Sequence, residues 1–255
     1  MNKFDTFRFF FPVLVVDKIN KENRNVLCQN VYGTAFAISD NIFLTAGHVV
    51  DALKGKKESM LGIYDRRKNC WKAIKIAEIQ RTQNFDLGVI RVNTKTISFS
   101  KLKWDFSEQL PMLSDVQTAG YAQTFDPATG WIGIRSFKGH IVSNSPPYEG
   151  LENYGFYELS FYCPKGLSGA PIYSSDKEEV IVKGIITDVV VSDQNRIPIA
   201  EVIEKEEKKI YERSEVYYFG RAIDVRFLAN IKLPFLDIPL KEYLSKRNLI
   251  INNSM

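Results

Sequence analysis

Only two histidines and three cysteines occur among the 255 residues. Cys28, Cys70 and Cys163 cannot all pair within the chain, and their spacing matches no zinc-binding pattern. A disulfide scaffold and a zinc module are therefore excluded, and free thiols in a reducing cytoplasm are expected. No run approaches the roughly 20 apolar residues needed to cross a bilayer, so no membrane partner is expected. Neither sign of charge dominates: 34 basic residues stand against 30 acidic ones, a net +4. That balance lacks the basic stripe of a dedicated nucleic-acid binder. No phosphate-cradling glycine loop and no metal-ligand cluster is present, so no cofactor or metal is implied. What the chain has is a 45% hydrophobic share, ample for a buried core, in one large all-β domain or two small ones.

Short β-rich runs between turn residues recur along the chain, including Asn41 to Thr45, Leu87 to Val92 and Val180 to Ile186. Strands so spaced, without intervening helices, predict a sandwich or barrel. The run Phe9 to Val16 has the length of a signal-peptide core, but Asp17 and Lys18 follow it with no small-residue cleavage site. It reads instead as a buried strand, with Pro12 at an edge or bulge. Lys101 to Asp115 has little apolar periodicity and reads as a linker between two β units, and no internal sequence repeat is evident. Three helices are expected. Ala46 to Leu53 forms a short turn after a strand. Glu201 to Arg213 carries Glu201/Lys205 and Glu204/Lys208 at helical spacing. Pro239 to Lys246 is a terminal amphipathic piece with its proline at the start.

The chemistry begins at Ser168, in Gly166-Leu167-Ser168-Gly169-Ala170-Pro171. A serine among small residues suits a tight turn whose backbone N–H groups converge, the arrangement that stabilises an oxyanion. Gly166 permits backbone angles closed to other residues, so its N–H can join that of Ser168. A serine hydroxyl needs a base. His48 lies where the apolar strand Phe43-Leu44-Thr45 gives way to Ala46-Gly47, and His140 lies on a strand, where a structural role is expected. A third group must orient the imidazole. Asp86, immediately before Leu87-Gly88-Val89-Ile90, can be mostly buried and still reach a neighbouring loop.

The motifs Thr45-Ala46-Gly47-His48-Val49-Val50, Asp86-Leu87-Gly88-Val89-Ile90 and Gly166-Leu167-Ser168-Gly169-Ala170-Pro171, in that order, resemble the chymotrypsin/trypsin-like serine proteases. Within them, the bacterial branch that includes the HtrA protease domain is the most similar. Gly33-Thr34-Ala35-Phe36-Ala37-Ile38 resembles the strand that precedes the family's histidine, Gly120-Tyr121 the start of its second barrel, and Phe219-Gly220-Arg221-Ala222-Ile223 a late strand. The resemblance spans roughly residues 30 to 230. It implies an all-β fold of two antiparallel six-stranded barrels with a short C-terminal helix. Residues 1–108 would carry His48 and Asp86, and residues 109–255 would carry Ser168. It further implies a serine endopeptidase acting on proteins or peptides: Ser168 as nucleophile, His48 as base and acid, Asp86 as its orienter, and the Gly166 and Ser168 N–H groups as the oxyanion hole.

Departures from the family bear on regulation and specificity. Val49 stands where secreted members carry a disulfide cysteine, in keeping with an intracellular protein. Leu167 stands where zymogens place an aspartate for a newly cut terminus, so the pocket is either constitutive or ordered by an activating protein partner. By the resemblance Tyr162 lies at the floor of the primary specificity pocket and Thr187 on its wall, giving a shallow, mostly uncharged site that disfavours Lys and Arg before the scissile bond. Otherwise loop lengths differ and Tyr162 is an ordinary strand aromatic. Ser192 to Glu215 is either a helical lid or exosite beside the cleft, or a solvated surface helix. No recognition domain follows residue 235, so substrate delivery is expected to rest on the cleft or on another protein. A catalytically idle binding module is the competing function. A cysteine protease is excluded because Ser168, not Cys163, occupies the nucleophile turn.

Overall fold

The computed structural model describes residues 5–19, 26–56, 58–94, 97–123, 125–126, 131–145, 155–174, 180–204 and 207–251. Six strands form the first barrel: β1 (Phe10–Ile19), β2 (Val26–Ala37), β3 (Ile42–Ala46), β4 (Ser59–Asp65), β5 (Cys70–Arg81) and β6 (Leu87–Val92). They close in the spatial order β1-β2-β3-β6-β5-β4, every neighbour antiparallel. The helix α1 (Gly47–Leu53) follows β3 and buries Gly47, Val49, Val50 and Leu53. The run that begins the chain is thus a core strand, with Phe10, Phe11, Val13, Leu14, Val15 and Val16 all buried. Pro12 is tolerated because the ladder to β4 starts only at Val13, so no donor is missed there.

A connection carries β7 (Lys103–Trp104) to the second barrel. The elements that follow are β8 (Asp115–Gly120), a small β9 (Phe125–Asp126)/β10 (Trp131–Ile132) hairpin, β11 (Arg135–Ser145), β12 (Phe156–Leu159), β13 (Pro171–Ser174), β14 (Ile181–Glu204) and β15 (Glu207–Asp224). Here β13-β8-β11-β12-β15-β14 closes through the β13–β14 pairing, antiparallel throughout, with β7 added in parallel to β14. Numbered within each barrel, the strands follow one order, 1-2-3-6-5-4. The second unit therefore repeats the topology of the first without repeating its sequence. The expected fold, two antiparallel six-stranded barrels, is the observed one. The terminal helix is present as α2 (Leu240–Ser245), its last flanking position before the first turn taken by Pro239. Among the described residues no helix is long and apolar enough to cross a membrane.

The helix expected over Glu201 to Arg213 is not formed. Residues 201–204 belong to β14 and 207–213 to β15, paired from Gly184↔Asp224 out to Glu204↔Glu207; Lys205 lies outside the described residues. The ladder already established within the barrel is extended outward, with three register shifts along it. An i,i+4 charge pair adds only about 0.2–0.5 kcal/mol to a helix, too little to interrupt it. Both helical readings of Ser192 to Glu215, the lid and the solvated surface helix, fall with this finding. The linker reading of Lys101 to Asp115 also changes, since Trp104 is fully buried and its strand pairs with β14.

One apolar cluster spans both barrels, beside a separate cluster within each. Phe10, Phe36, Leu44 and Leu87 from the first join Tyr121, Tyr173, Ile185 and Ile223 from the second, with Trp104 among them. Tyr121 Oη donates to the Phe10 carbonyl at 2.9 Å, and the Phe10 and Tyr173 rings stack.

Candidate active site

His48 is the second residue of α1 and Asp86 the last before β6, so the β3–β6 pairing that sets Ala46 opposite Leu87 brings them together. His48 Nδ1 lies 2.8 Å from Asp86 Oδ2, and the His48 backbone N–H donates to Asp86 Oδ1, also at 2.8 Å. A carboxylate only accepts, so Nδ1 carries the proton and Nε2 keeps the lone pair in the neutral ring. Arg81, the last residue of β5, completes this corner. Its guanidinium lies 3.2 Å from Asp86 Oδ1 and also pairs with Asp51 on α1. Hydrogen bonds from Lys54 and Arg81 hold the Asp51 carboxyl below its ordinary range. Gly47 leaves room for the arrangement: a Cβ there would stand 2.8 Å from both Arg81 Nε and Asp86 Oδ1.

Ser168 comes from the second barrel, on a turn with Gly166 at φ +93° and Gly169 at φ +88°, values that favour glycine. Backbone groups around it are almost fully engaged. The carbonyls of Lys165, Gly166, Leu167 and Ser168 accept from Gln123 N–H (2.9 Å), Thr34 Oγ1 (2.8 Å), Ala170 N–H (3.0 Å) and Thr34 N–H (2.9 Å) respectively. The N–H groups of Leu167 and Gly169 donate to Pro164 (3.0 Å) and Ile186 (2.8 Å). Among the described residues the N–H groups of Gly166 and Ser168 alone in this stretch, 166–170, donate to nothing. Gly166 is buried and Ser168 half-buried, and buried N–H groups without a partner are rare in folded proteins. Two such donors, two positions apart, are an arrangement that can receive a negatively charged oxygen.

The turn seats against the corner that carries His48. A Cβ on Gly169 would lie within 2.7 Å of the Ala46 nitrogen, and one on Gly33 would meet both Val49 and the Ser168 carbonyl. Among the described residues no hydrogen bond joins Ser168 to His48. His140 stands elsewhere, on β11 opposite Asp115, with its backbone bonded to Ser160.

Tyr162 is half-exposed, its ring edge-on to Tyr218, and Thr187 is buried with its hydroxyl donating to Asp188 Oδ1 at 3.1 Å. Asp188 also pairs with Arg221. Between these segments Cys163 packs against Gly220, where an added Cβ would meet Sγ at 2.3 Å. Burial, aided by the charge of Asp188, pushes the Cys163 thiol up to about 12, which leaves it inert as a nucleophile at neutral pH. Leu167 is fully buried in the second barrel's apolar cluster. No cluster of three or more potential metal ligands occurs among the described residues.

Two residues of the site carry no sequence signal of their role. Thr34 stands in a quoted motif, but its partners Gly166 and Tyr121 lie 132 and 87 positions away. Arg81 reads as one more surface arginine at a strand end.

The family model described as Trypsin matches residues 15–200, well over half of the chain. No curated protein matches the chain.

Proposed function

The chain belongs to the trypsin family, and on that premise we propose that it is a serine endopeptidase. The carrying observation is the Ser168 turn, where from Gly166 to Ala170 every backbone N–H donates except the two that an oxyanion needs. In this reading Ser168 Oγ attacks the scissile carbonyl while its proton passes to His48 Nε2. The Gly166 and Ser168 N–H groups receive the negative oxygen. The C–N bond then breaks, His48 returns the proton to the leaving amine, and water, activated by the same imidazole, cleaves the acyl-enzyme ester. Asp86 keeps His48 in the tautomer this requires and steadies the imidazolium. Each oxyanion donor contributes on the order of a hundredfold or more in rate.

The ordered turn supports a constitutive site, and the buried Leu167 offers no carboxylate for a newly cut terminus. In this reading Tyr162 and Thr187 border the specificity pocket, and Asp188, next to Thr187, is already engaged by Arg221, which supports poor acceptance of Lys or Arg before the scissile bond. The absence of a disulfide among Cys28, Cys70 and Cys163 supports a reducing compartment.

A fluorophosphonate probe tests the reading. Wild type is expected to take the label, and Ser168→Ala and His48→Ala to lose it. Intact, folded wild type that resists the probe would instead favour a binding module on a protease fold. A cleaved-peptide profile dominated by Lys or Arg before the cut would overturn the pocket assignment.

A further inference from the structure

We infer that Thr34, a residue of the first barrel, is the positioning residue that builds the oxyanion site of the second. The inference rests on the proposed serine-protease reading and specifies what holds its site in shape. Thr34 lies on β2 and is fully buried. All four of its polar functions are committed. Its N–H donates to the Ser168 carbonyl at 2.9 Å, and its hydroxyl donates to the Gly166 carbonyl at 2.8 Å. The same hydroxyl accepts from Tyr121 N–H at 3.0 Å, and its carbonyl accepts from Thr45 Oγ1 at 2.8 Å.

Two of these bonds grip the carbonyls of Gly166 and Ser168 themselves. A peptide plane whose carbonyl is fixed cannot rotate alone, so pinning these two planes brackets Leu167 and limits how the intervening N–H of Ser168 can swing. The Tyr121 bond ties the clamp to the segment that holds the other side of the turn, since Gln123 N–H fixes the Lys165 carbonyl and through it the plane of Gly166 N–H. The Thr45 bond reaches the strand that leads to His48 three residues on. One residue therefore sets the oxyanion donors and the base in a common frame, its backbone through Ser168 and Thr45 and its hydroxyl through Gly166 and Tyr121. A preorganised donor pair is what gives such a site its rate advantage, because nothing need reorient as charge develops. The effect of Thr34 belongs to the transition state and falls on kcat rather than on KM.

Thr34→Val keeps the shape and removes the hydroxyl, and Thr34→Ser keeps the hydroxyl. With a peptide substrate that wild type turns over, Thr34→Val is expected to lower kcat roughly ten- to a hundredfold at nearly constant KM, below the full loss of a donor. Its fluorophosphonate labelling and its affinity for a peptide boronic acid, which forms a tetrahedral adduct, should fall in parallel. Thr34→Ser should restore most of the loss. If Thr34→Val does not fold, Thr34→Cys, a weaker donor, replaces it and should label more slowly than Thr34→Ser. A folded Thr34→Val with wild-type kcat, or a Thr34→Ser that fails to rescue, overturns the inference while leaving the protease reading intact. Wild type that neither labels nor cleaves overturns the protease reading, and the inference with it.

Discussion

At the scale of single residues, Gly47 shows how a legible motif hides its physical reason. The sequence marks it only as the small residue before His48. The structure shows a position where a methyl group would stand 2.8 Å from the Arg81 Nε and 2.8 Å from Asp86 Oδ1. Arg81 can swing aside at little cost, but Asp86 cannot move without giving up one of its two bonds to His48. Gly47→Ala is therefore expected to slow fluorophosphonate labelling about tenfold, which corresponds to about 1.4 kcal/mol at the transition state. Pairing it with Arg81→Ala separates the two clashes: the double variant should recover little, because Asp86 is the group displaced. A wild-type labelling rate in Gly47→Ala would show that the corner yields elsewhere. Thr34 teaches the same lesson from the other side. His48, Asp86 and Ser168 were readable as residue types fit for base, orienter and nucleophile respectively. The groups that hold them reach across the fold, and pairwise contact over such separations leaves no periodic trace in a single sequence.

Among the elements, the strands with dense apolar content were legible, because β-branched runs bounded by turns have few other uses. β6 spans Leu87–Val92, as read, and α1 and α2 fall within a residue or two of their expected bounds. The arm formed by β14 and β15 was not legible. Its outer part is rich in Glu and Lys at spacings that also suit a helix, and local pattern cannot reveal that a partner strand arrives in register from a barrel. The ladder inside the barrel, from Gly184↔Asp224 to Ile186↔Ala222, does not depend on the outer one. Ser192 and Tyr217 pair directly, so an Asn-Gly turn placed between them in place of residues 193–216 makes a two-residue hairpin of favoured type. The shortened protein is expected to fold with a thermal midpoint within a few degrees of wild type and to take the fluorophosphonate label at the same rate. Loss of the label in a folded protein would show instead that the arm shapes the nucleophile turn.

For the molecule as a whole, the question is what makes two barrels of like topology behave as one body. Length and composition allowed one domain or two, and neither could show that the connection between the barrels is itself structural. Trp104 N–H donates to the Leu249 carbonyl and its own carbonyl accepts from Ile251, so the connection is sewn to the C-terminal segment as well as to β14. Beside it, Asp105 Oδ2 lies 2.6 Å from Lys183 Nζ, with both side chains about nine-tenths buried. Burial pushes the Asp105 carboxyl up, but hydrogen bonds from Lys183 and Ser107 outweigh it and hold the group below its ordinary value. A carboxyl depressed in the folded state adds stability that is present above its unfolded value of about 3.9 and is lost as pH falls through the folded one. Lys183→Met removes the cation and leaves a buried carboxylate with Ser107 alone, which should cost about 3 kcal/mol in urea unfolding at pH 7. Protonation relieves the variant of that uncompensated charge, so the gap from wild type should narrow as the pH is lowered through 4 toward 3. An equal gap at pH 7 and pH 3 would mean that Lys183 contributes by packing its methylenes rather than by charge. If the narrowing is seen, and tryptophan fluorescence and far-UV circular dichroism report coincident transitions, the pair stabilises a single cooperative unit, because its loss is then felt by both barrels at once.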